Sequence, residues 1–181
     1  MEMCRDSDRV VSLVEKFRLK KWFYIVSKYV SGGNLMDYCL RHGGDGHGEA
    51  HEQPSLSEDR IHYIFSQIAH GLHDMHKIGL IHRDLKHDNI FLSDNSKKPR
   101  IKIGDLGLTA YLKPDEVLIK FAGTKAFMAP EVLLDQPAGF YNDIYSLGVI
   151  LYTLVANSLP FSEVFYVEGN EMHLLEQEIE F

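Results

Sequence analysis

The sequence predicts an α+β fold, mostly helical, with a small two-stranded piece near its N-terminus. Three observations carry this. Residues 10–17 and 22–30 are rich in Val, Ile and aromatic side chains and are separated by Arg18-Leu19-Lys20-Lys21, the pattern of two strands and a short turn. Ile61, Ile64, Phe65, Ile68, Leu72 and Met75 recur at helical spacing and make one apolar stripe over about four turns. Residues 143–156 are apolar on nearly all sides, as a helix at the centre of a core would be. A chain of 181 residues is long enough for one domain with a substantial core and short for two.

The remaining elements follow in order. Ser31-Gly32-Gly33 ends the strand pattern, and Asn34 can cap a short helix to about Arg41, which Gly43-Gly44 stops. Residues 42–54 are Gly- and His-rich. His42, His47 and His51 with Asp45, Glu49 and Glu52 have metal-ligating chemistry, but no helix fixes their spacing, so a flexible, solvated insertion is expected. Ser55 and Glu58 have capping-box spacing before the long helix, and Gly79 can terminate it. Ile90-Phe91-Leu92 and Ile101-Lys102-Ile103 read as a hairpin across a turn at 93–99. Residues 104–131 show little period, and 171–181 read as the start of another amphipathic helix.

Composition narrows the function classes. With 45% hydrophobic and 25% charged residues the chain is neither disordered nor collagen-like. Nineteen basic against twenty-six acidic side chains give a formal charge of −7, which points away from nucleic acid and from anionic membrane surfaces as partners. The two cysteines, Cys4 and Cys39, offer no disulfide framework and no Cys-x-x-Cys metal site, and read as reduced cytosolic thiols. Met1-Glu2-Met3-Cys4-Arg5-Asp6 lacks an apolar signal core. Residues 144–162 carry no charge, but Gly148, Asn157, Ser158 and Pro160 interrupt them, so a buried helix and turn are expected there, not a membrane span. Together these place the protein in the cytoplasm. His70, His73, His76 and His87 read as helix-surface or loop histidines.

The chemistry concentrates between residues 81 and 92. Hydrophobic residues flank a polar cluster of His82, Arg83, Asp84, Lys86, His87, Asp88 and Asn89. Such a set suits phosphoryl transfer: a carboxylate to accept a hydroxyl proton, a lysine to neutralise a transferring phosphate, and an amide oxygen for magnesium. Asp105 lies sixteen residues past Asn89, and the intervening hairpin would bring the two together as oxygen ligands of one divalent ion.

These residues resemble the motifs of one family. His82-Arg83-Asp84-Leu85-Lys86-x-x-Asn89 is similar to the catalytic loop of eukaryotic protein kinases, and Asp105-Leu106-Gly107 resembles their magnesium-binding Asp-Phe-Gly with Leu for Phe. Ala129-Pro130-Glu131 matches the end of their activation segment, with Gly123-Thr124 at the family's spacing before it. Residues 143–148 look like the start of their central buried helix. The resemblance implies a protein-kinase-like fold, mainly the helical large lobe with a truncated β small lobe. Residues 10–30 would hold remnant strands and hinge, and 31–181 a large lobe cut at its C-terminus.

The resemblance also implies roles. Asp84 would be the catalytic base or orienter of the substrate hydroxyl, and Lys86 points to serine/threonine substrates. Asn89 and Asp105 would hold Mg2+, and Thr124 would bridge Asp84 and Lys86. Asp143 would accept backbone hydrogen bonds from the catalytic loop. His82 and Leu106 would join a hydrophobic column below Leu13. Lys28, Tyr29 and Val30 would form the hinge that binds the adenine of ATP, with Ser27 at the back of the pocket. The partners implied are a protein substrate and a protein covering the open upper surface. The alternatives to a serine/threonine kinase are a catalytically inactive pseudokinase or regulatory binding fragment, and a decayed product without activity.

Some family features have no counterpart in these 181 residues. No glycine-rich loop precedes the hinge, and Lys16, Lys20 and Lys21 lie downstream of the place of the family's strand lysine. No arginine follows Arg100 to pair with Glu131, and a buried carboxylate without its partner costs about 3–5 kcal/mol. Where a phosphosite facing Arg83 often lies, the chain has Lys120, and Asp115 or Glu116 is expected to substitute unless the switch is lost. An exposed apolar sheet face and an unpaired edge are expected as well. The isolated chain should therefore be marginally stable, with a thermal midpoint below about 60 °C by calorimetry.

Overall fold

The structure is a computed structural model that describes residues 2–4, 7–42, 56–113, 116–118 and 122–161, with the backbone of 165–168 and 171–174. Strands β1 (Leu13–Leu19) and β2 (Trp22–Ser27) pair antiparallel from Leu13↔Ser27 to Leu19↔Trp22. The hairpin starts later than the apolar run does. Val10 and Val11 instead lie along the strand at 101–103: Val11 N donates to Ile103 O at 2.8 Å, and Ile103 N donates to Arg9 O at 2.8 Å. Those two valines are buried, whereas Val14, Trp22, Phe23 and Ile25 stand exposed on the hairpin. One run of β-formers thus serves two layers, and the expected open sheet face is present.

Helix α1 (Leu35–His42) starts as the sequence indicates, with Asn34 Oδ1 accepting from Asp37 N at 2.8 Å. Residues 43–55, and with them most of the His-rich loop, lie outside the described residues. Helix α2 (Glu58–Lys77) buries Ile61, Ile64, Ile68, Leu72 and Met75, and Phe65 packs on the rim of that stripe. Its N-cap is Ser57, so Glu58 is the first helical residue and not the third. The Ser55–Glu58 capping box is therefore corrected: Glu58 and Asp59 face the positive helix end as first-turn acids. At the other end Gly79 adopts φ +79° and its N–H returns to His76 O at 2.9 Å, closing the helix as expected.

Below α2 come β3 (Leu80–Ile81) and the predicted hairpin of β4 (Ile90–Leu92) and β5 (Ile101–Ile103), in register Ile90↔Ile103 and Leu92↔Ile101. Those four residues are buried under α2. The aperiodic stretch after β5 contains β6 (Ala110–Tyr111), which pairs with β3, and the four-residue helix α3 (Pro130–Leu133). A two-residue ladder is too short to leave a period in the sequence.

Helix α4 (Tyr141–Ala156) buries Asn142, Asp143, Ser146, Leu147, Val149, Ile150 and Leu154. It is not covered on all sides: Ile144 and Val155 are 50% and 60% exposed. The packing of α2 and residues 82–89 occupies one flank, and the apolar residues of the other face outward. Glu131 is only half-buried, so its carboxylate keeps access to water and the cost expected for a buried orphan charge does not apply in full. Near the C-terminus, β7 (Phe165–Glu168) and β8 (Glu171–Leu174) form a hairpin where a helix was expected. The overlooked signal is Gly169-Asn170, a two-residue hairpin link after the strand-favouring Phe165-Tyr166-Val167. Residues 175–181 are outside the described residues. Among the described residues no helix is long and apolar enough to cross a membrane.

His87 corrects its reading as a loop histidine. It is buried, with Nε2 2.7 Å from Thr153 Oγ1 of α4 and its ring against Phe127. Its Nδ1 has no hydrogen-bond partner, so protonation would bury an unpaired charge, and desolvation lowers its pKa from 6.5 to about 4. Below pH 6.5 the unfolded chain then takes up a proton that the folded chain refuses until about pH 4. Stability from this group is therefore complete above pH 6.5 and declines as pH falls toward 4, by about 3 kcal/mol in all. Urea titrations across that window should show the decline, and His87→Gln, which cannot titrate, should flatten that part of it.

Candidate active site

The segment that starts at His82 is held from below by one carboxylate. Asp143, in the first turn of α4 and fully buried, accepts from His82 N at 2.8 Å and Arg83 N at 2.9 Å. His76 of α2 adds a third contact, its Nε2 2.8 Å from Asp143 Oδ2, and its ring packs at a tilt against Phe140. This corrects His76 from a surface histidine to an anchor, while His70 and His73 are exposed as expected. Arg83 takes φ +72°, so the chain turns sharply here and presents Asp84 on the far side.

His82 is the second tie. Its Nδ1 accepts from Asp84 N at 3.2 Å, which leaves the proton on Nε2 to donate to Gly104 O at 2.9 Å. Gly104 N donates to Asn89 O at 2.9 Å. Together with the β4–β5 ladder, these bonds set Asn89 and Asp105 on one side of a common cleft.

Asp84 is gripped by three neighbours. Thr124 Oγ1 donates to Asp84 Oδ1 at 2.7 Å, Lys86 Nζ donates to Thr124 Oγ1 at 2.8 Å, and Nζ lies 3.4 Å from Asp84 Oδ2. Asn89 Nδ2 donates to the Asp84 carbonyl at 2.8 Å and to its Oδ2 at 3.2 Å. Thr124 comes within reach because Gly123 passes against the catalytic segment at φ +120°; a Cβ there would sit 2.3 Å from Arg83 O. The activation segment is then fastened to α4, with Ser146 Oγ donating to Phe127 O at 2.6 Å and Ala129 N to Asn142 Oδ1 at 3.3 Å.

Above this set lies a cleft of about 780 Å³, within the usual ~300–1,000 Å³ for small-molecule sites. Its walls include Ser27, Lys28, Tyr29 and Val30 on the connection after β2, with Asn89, Asp105 and Leu106 opposite. Lys28 N is bonded to Ser12 O at 2.9 Å, whereas Tyr29 and Val30 enter no backbone-to-backbone hydrogen bond among the described residues. Their peptide groups can therefore read a flat heterocycle.

The donor set fits magnesium. With its NH2 group on Asp84, Asn89 keeps Oδ1 as its ligand atom, and Asp105 adds a carboxylate held in left-handed backbone at φ +52°. Among the described residues no group of three or more His, Cys, Asp or Glu gathers as a metal cage. Two protein oxygens suit an ion whose remaining ligands are phosphates and water.

All eight residues singled out by sequence for chemistry fall into this site: Asp84, Lys86, Asn89 and Thr124 in direct contact, and Lys28, Tyr29, Val30 and Asp105 around the cleft. The expected partner of Arg83 is not found at Glu116, whose Oε2 accepts from Lys113 N at 3.0 Å and whose carboxylate pairs with the Lys113 ammonium. Arg83 reaches the Leu108 carbonyl at 3.4 Å, and Asp115 and Lys120 lie outside the described residues. Nothing local marks His76 as an anchor, since its partner is 67 residues away.

Asp143→Asn would turn an NH2 group toward donors that already point inward. We expect a loss of about 2–4 kcal/mol, read as a lower urea midpoint with an unchanged slope.

A sequence model of the family described as "Protein kinase domain" matches residues 1–179. Among curated proteins, the chain is similar to NUAK family SNF1-like kinase 1 of Homo sapiens, 37% identical over 153 residues, covering 84% of this chain and 21% of that protein. It is 34% identical over 143 residues to the ovarian-specific serine/threonine-protein kinase Lok of Drosophila melanogaster, covering 77% of this chain and 28% of Lok. Serine/threonine-protein kinase 17A of Oryctolagus cuniculus is 29% identical over 185 residues, covering 100% of this chain and 44% of that protein. The chain thus spans less than half the length of each of these relatives.

Proposed function

This chain belongs to the protein kinase family, and from that premise we propose that it carries the catalytic machinery of a serine/threonine kinase, moving the γ-phosphoryl group of ATP to a protein hydroxyl. The observation that carries the reading is the cluster of Asp84, Lys86, Thr124 and Asn89 within 2.7–3.4 Å contacts, joined to the cleft through Asn89, which lines it. In this reading the hinge peptides of Lys28 to Val30 hold adenine, Ser27 closes the back of the pocket, and the phosphates point toward Asn89 and Asp105. Asp84, fixed by Thr124 and Asn89, orients the serine or threonine hydroxyl and accepts its proton. The hydroxyl oxygen forms a bond to the γ-phosphorus as the bond to the β–γ bridging oxygen breaks, and ADP departs. Lys86 offsets charge on the transferring group. Magnesium held by Asn89 and Asp105 would neutralise phosphate charge and fix the phosphate geometry.

The same reading treats residues 1–181 as part of a kinase domain, with strands and hinge over 10–30 and large lobe over 31–181. It assigns a protein substrate and a cytoplasmic setting. A protein partner is assigned to the hairpin, where Trp22, Phe23 and Ile25 are exposed.

Transfer of labelled phosphate from ATP to a library of serine- and threonine-containing peptides tests the reading. Asp84→Asn should lower kcat at least about 100-fold with the fold intact by circular dichroism. A wild-type chain no more active than Asp84→Asn would discard the enzyme reading and leave a pseudokinase-like binding module.

A further inference from the structure

We infer that Lys16, on β1, is a binding residue for the triphosphate of the nucleotide, aimed into the cleft by a β-bulge. The inference rests on the nucleotide reading above and adds a residue to it. Side chains alternate along a strand, so from Leu13 the residues sharing its face should be Glu15 and Phe17. The pairing departs from that. Leu13 faces Ser27, but Glu15 faces Val26 and Lys16 faces Ile25, so β1 takes an extra residue between Leu13 and Glu15. The extra residue shifts the phase, and Lys16 joins the face that holds Leu13, Ile25 and Ser27. All four line the cleft. Bulges next to binding sites act in this way, re-aiming one side chain without moving the sheet.

The chemistry of the cleft gives the placement its meaning. Its lining includes two cations, Lys16 and Lys28. Lys28 belongs to the hinge, where the base would sit. Lys16 pairs with Ile25, the residue two positions from Ser27 on the same face of β2, about 7 Å from the hinge end of the ladder. Across the cleft stand Asn89 and Asp105. A nucleotide whose base lies on the hinge and whose phosphates reach Asn89 and Asp105 passes beneath that roof. A lysine there supplies a mobile point charge with three donors, the form of cation that suits a phosphate chain of variable pose. Lys20 and Lys21, at the tip of the same hairpin, are absent from the lining.

The test is calorimetric titration of the full chain with Mg-ATP and, separately, with adenosine, which keeps the base contacts and lacks phosphates. Lys16→Ala should weaken Mg-ATP about tenfold, the size of one charge-assisted hydrogen bond, and leave adenosine affinity unchanged. Lys16→Arg should stay within about threefold of wild type, because it restores the charge. Lys20→Ala removes an equal charge outside the cleft and should alter neither titration. Unchanged adenosine binding also reports an intact pocket in each variant. If Lys16→Ala and Lys20→Ala give the same Mg-ATP affinity, the role of Lys16 is overturned and the nucleotide reading stands. If the wild-type chain binds neither Mg-ATP nor adenosine, the nucleotide reading itself falls, and the role of Lys16 with it.

Discussion

The Asp143 carboxylate is the constraint on which the rest depends. It sits fully buried at the start of α4 and takes hydrogen bonds from two consecutive backbone N–H groups and a histidine ring. Consecutive amides can converge on one carboxylate only if the chain turns sharply, and Arg83 provides that turn in left-handed backbone. Once the turn is made, Asp84 must emerge on the side away from α4. The orientation of Asp84 is therefore set by a residue about sixty positions later, at the polar start of a helix whose later turns pack through Leu147, Val149, Ile150 and Leu154. Burying such a group without all its partners would cost several times the worth of an exposed contact.

From that anchor the polar network grows outward without crossing the apolar core. His82 carries it to Gly104, Gly104 to Asn89, and Asn89 back to Asp84. Thr124 and Lys86 close the other side. The Asp84 carbonyl and both its carboxylate oxygens are held by these neighbours, so the geometry of Asp84 is over-determined. The same helix fixes the activation segment through Ser146 and Asn142. Catalytic loop and activation segment are thus registered against one rigid element, which is why residues forty positions apart can meet to within a hydrogen bond.

The two ends of the molecule obey different physics. Around α2, β4 and β5 the apolar side chains are nearly all removed from water. The β1–β2 hairpin instead exposes Val14, Trp22, Phe23 and Ile25, and has only Phe17 on Tyr24 as an aromatic stack of its own. An isolated two-stranded hairpin is marginal in water. Its position over the cleft rests on the bonds from Lys28 to Ser12 and from Val11 to Ile103 at its base.

Much of this was legible in the sequence. The stripe of α2, the Asn34 cap, the Gly79 stop and the β4–β5 hairpin are local patterns, and local patterns survive folding when one face has an obvious core to meet. Asp84, Lys86, Asn89 and Asp105 stand out in the sequence as a dense polar motif and a carboxylate returned to it by a hairpin, whereas Lys28, Tyr29, Val30 and Thr124 were expected only from the family resemblance. What failed had remote causes. Val10 and Val11 belong to β5 because of a partner some ninety residues on. His76 became a half-buried anchor and His87 a buried one because α4 supplies Asp143 and Thr153 to them. The C-terminal hairpin is the exception, since its sequence signal, Gly169-Asn170 after a strand-favouring run, is local. The sequence by itself determined which chemical groups the protein has and which segments can be helix or strand, since both follow from side-chain identity and spacing. Tertiary structure alone decided which face of α4 is covered, where Lys16 points and which histidines lose water, because burial and hydrogen-bond partnership belong to pairs of residues far apart in the chain.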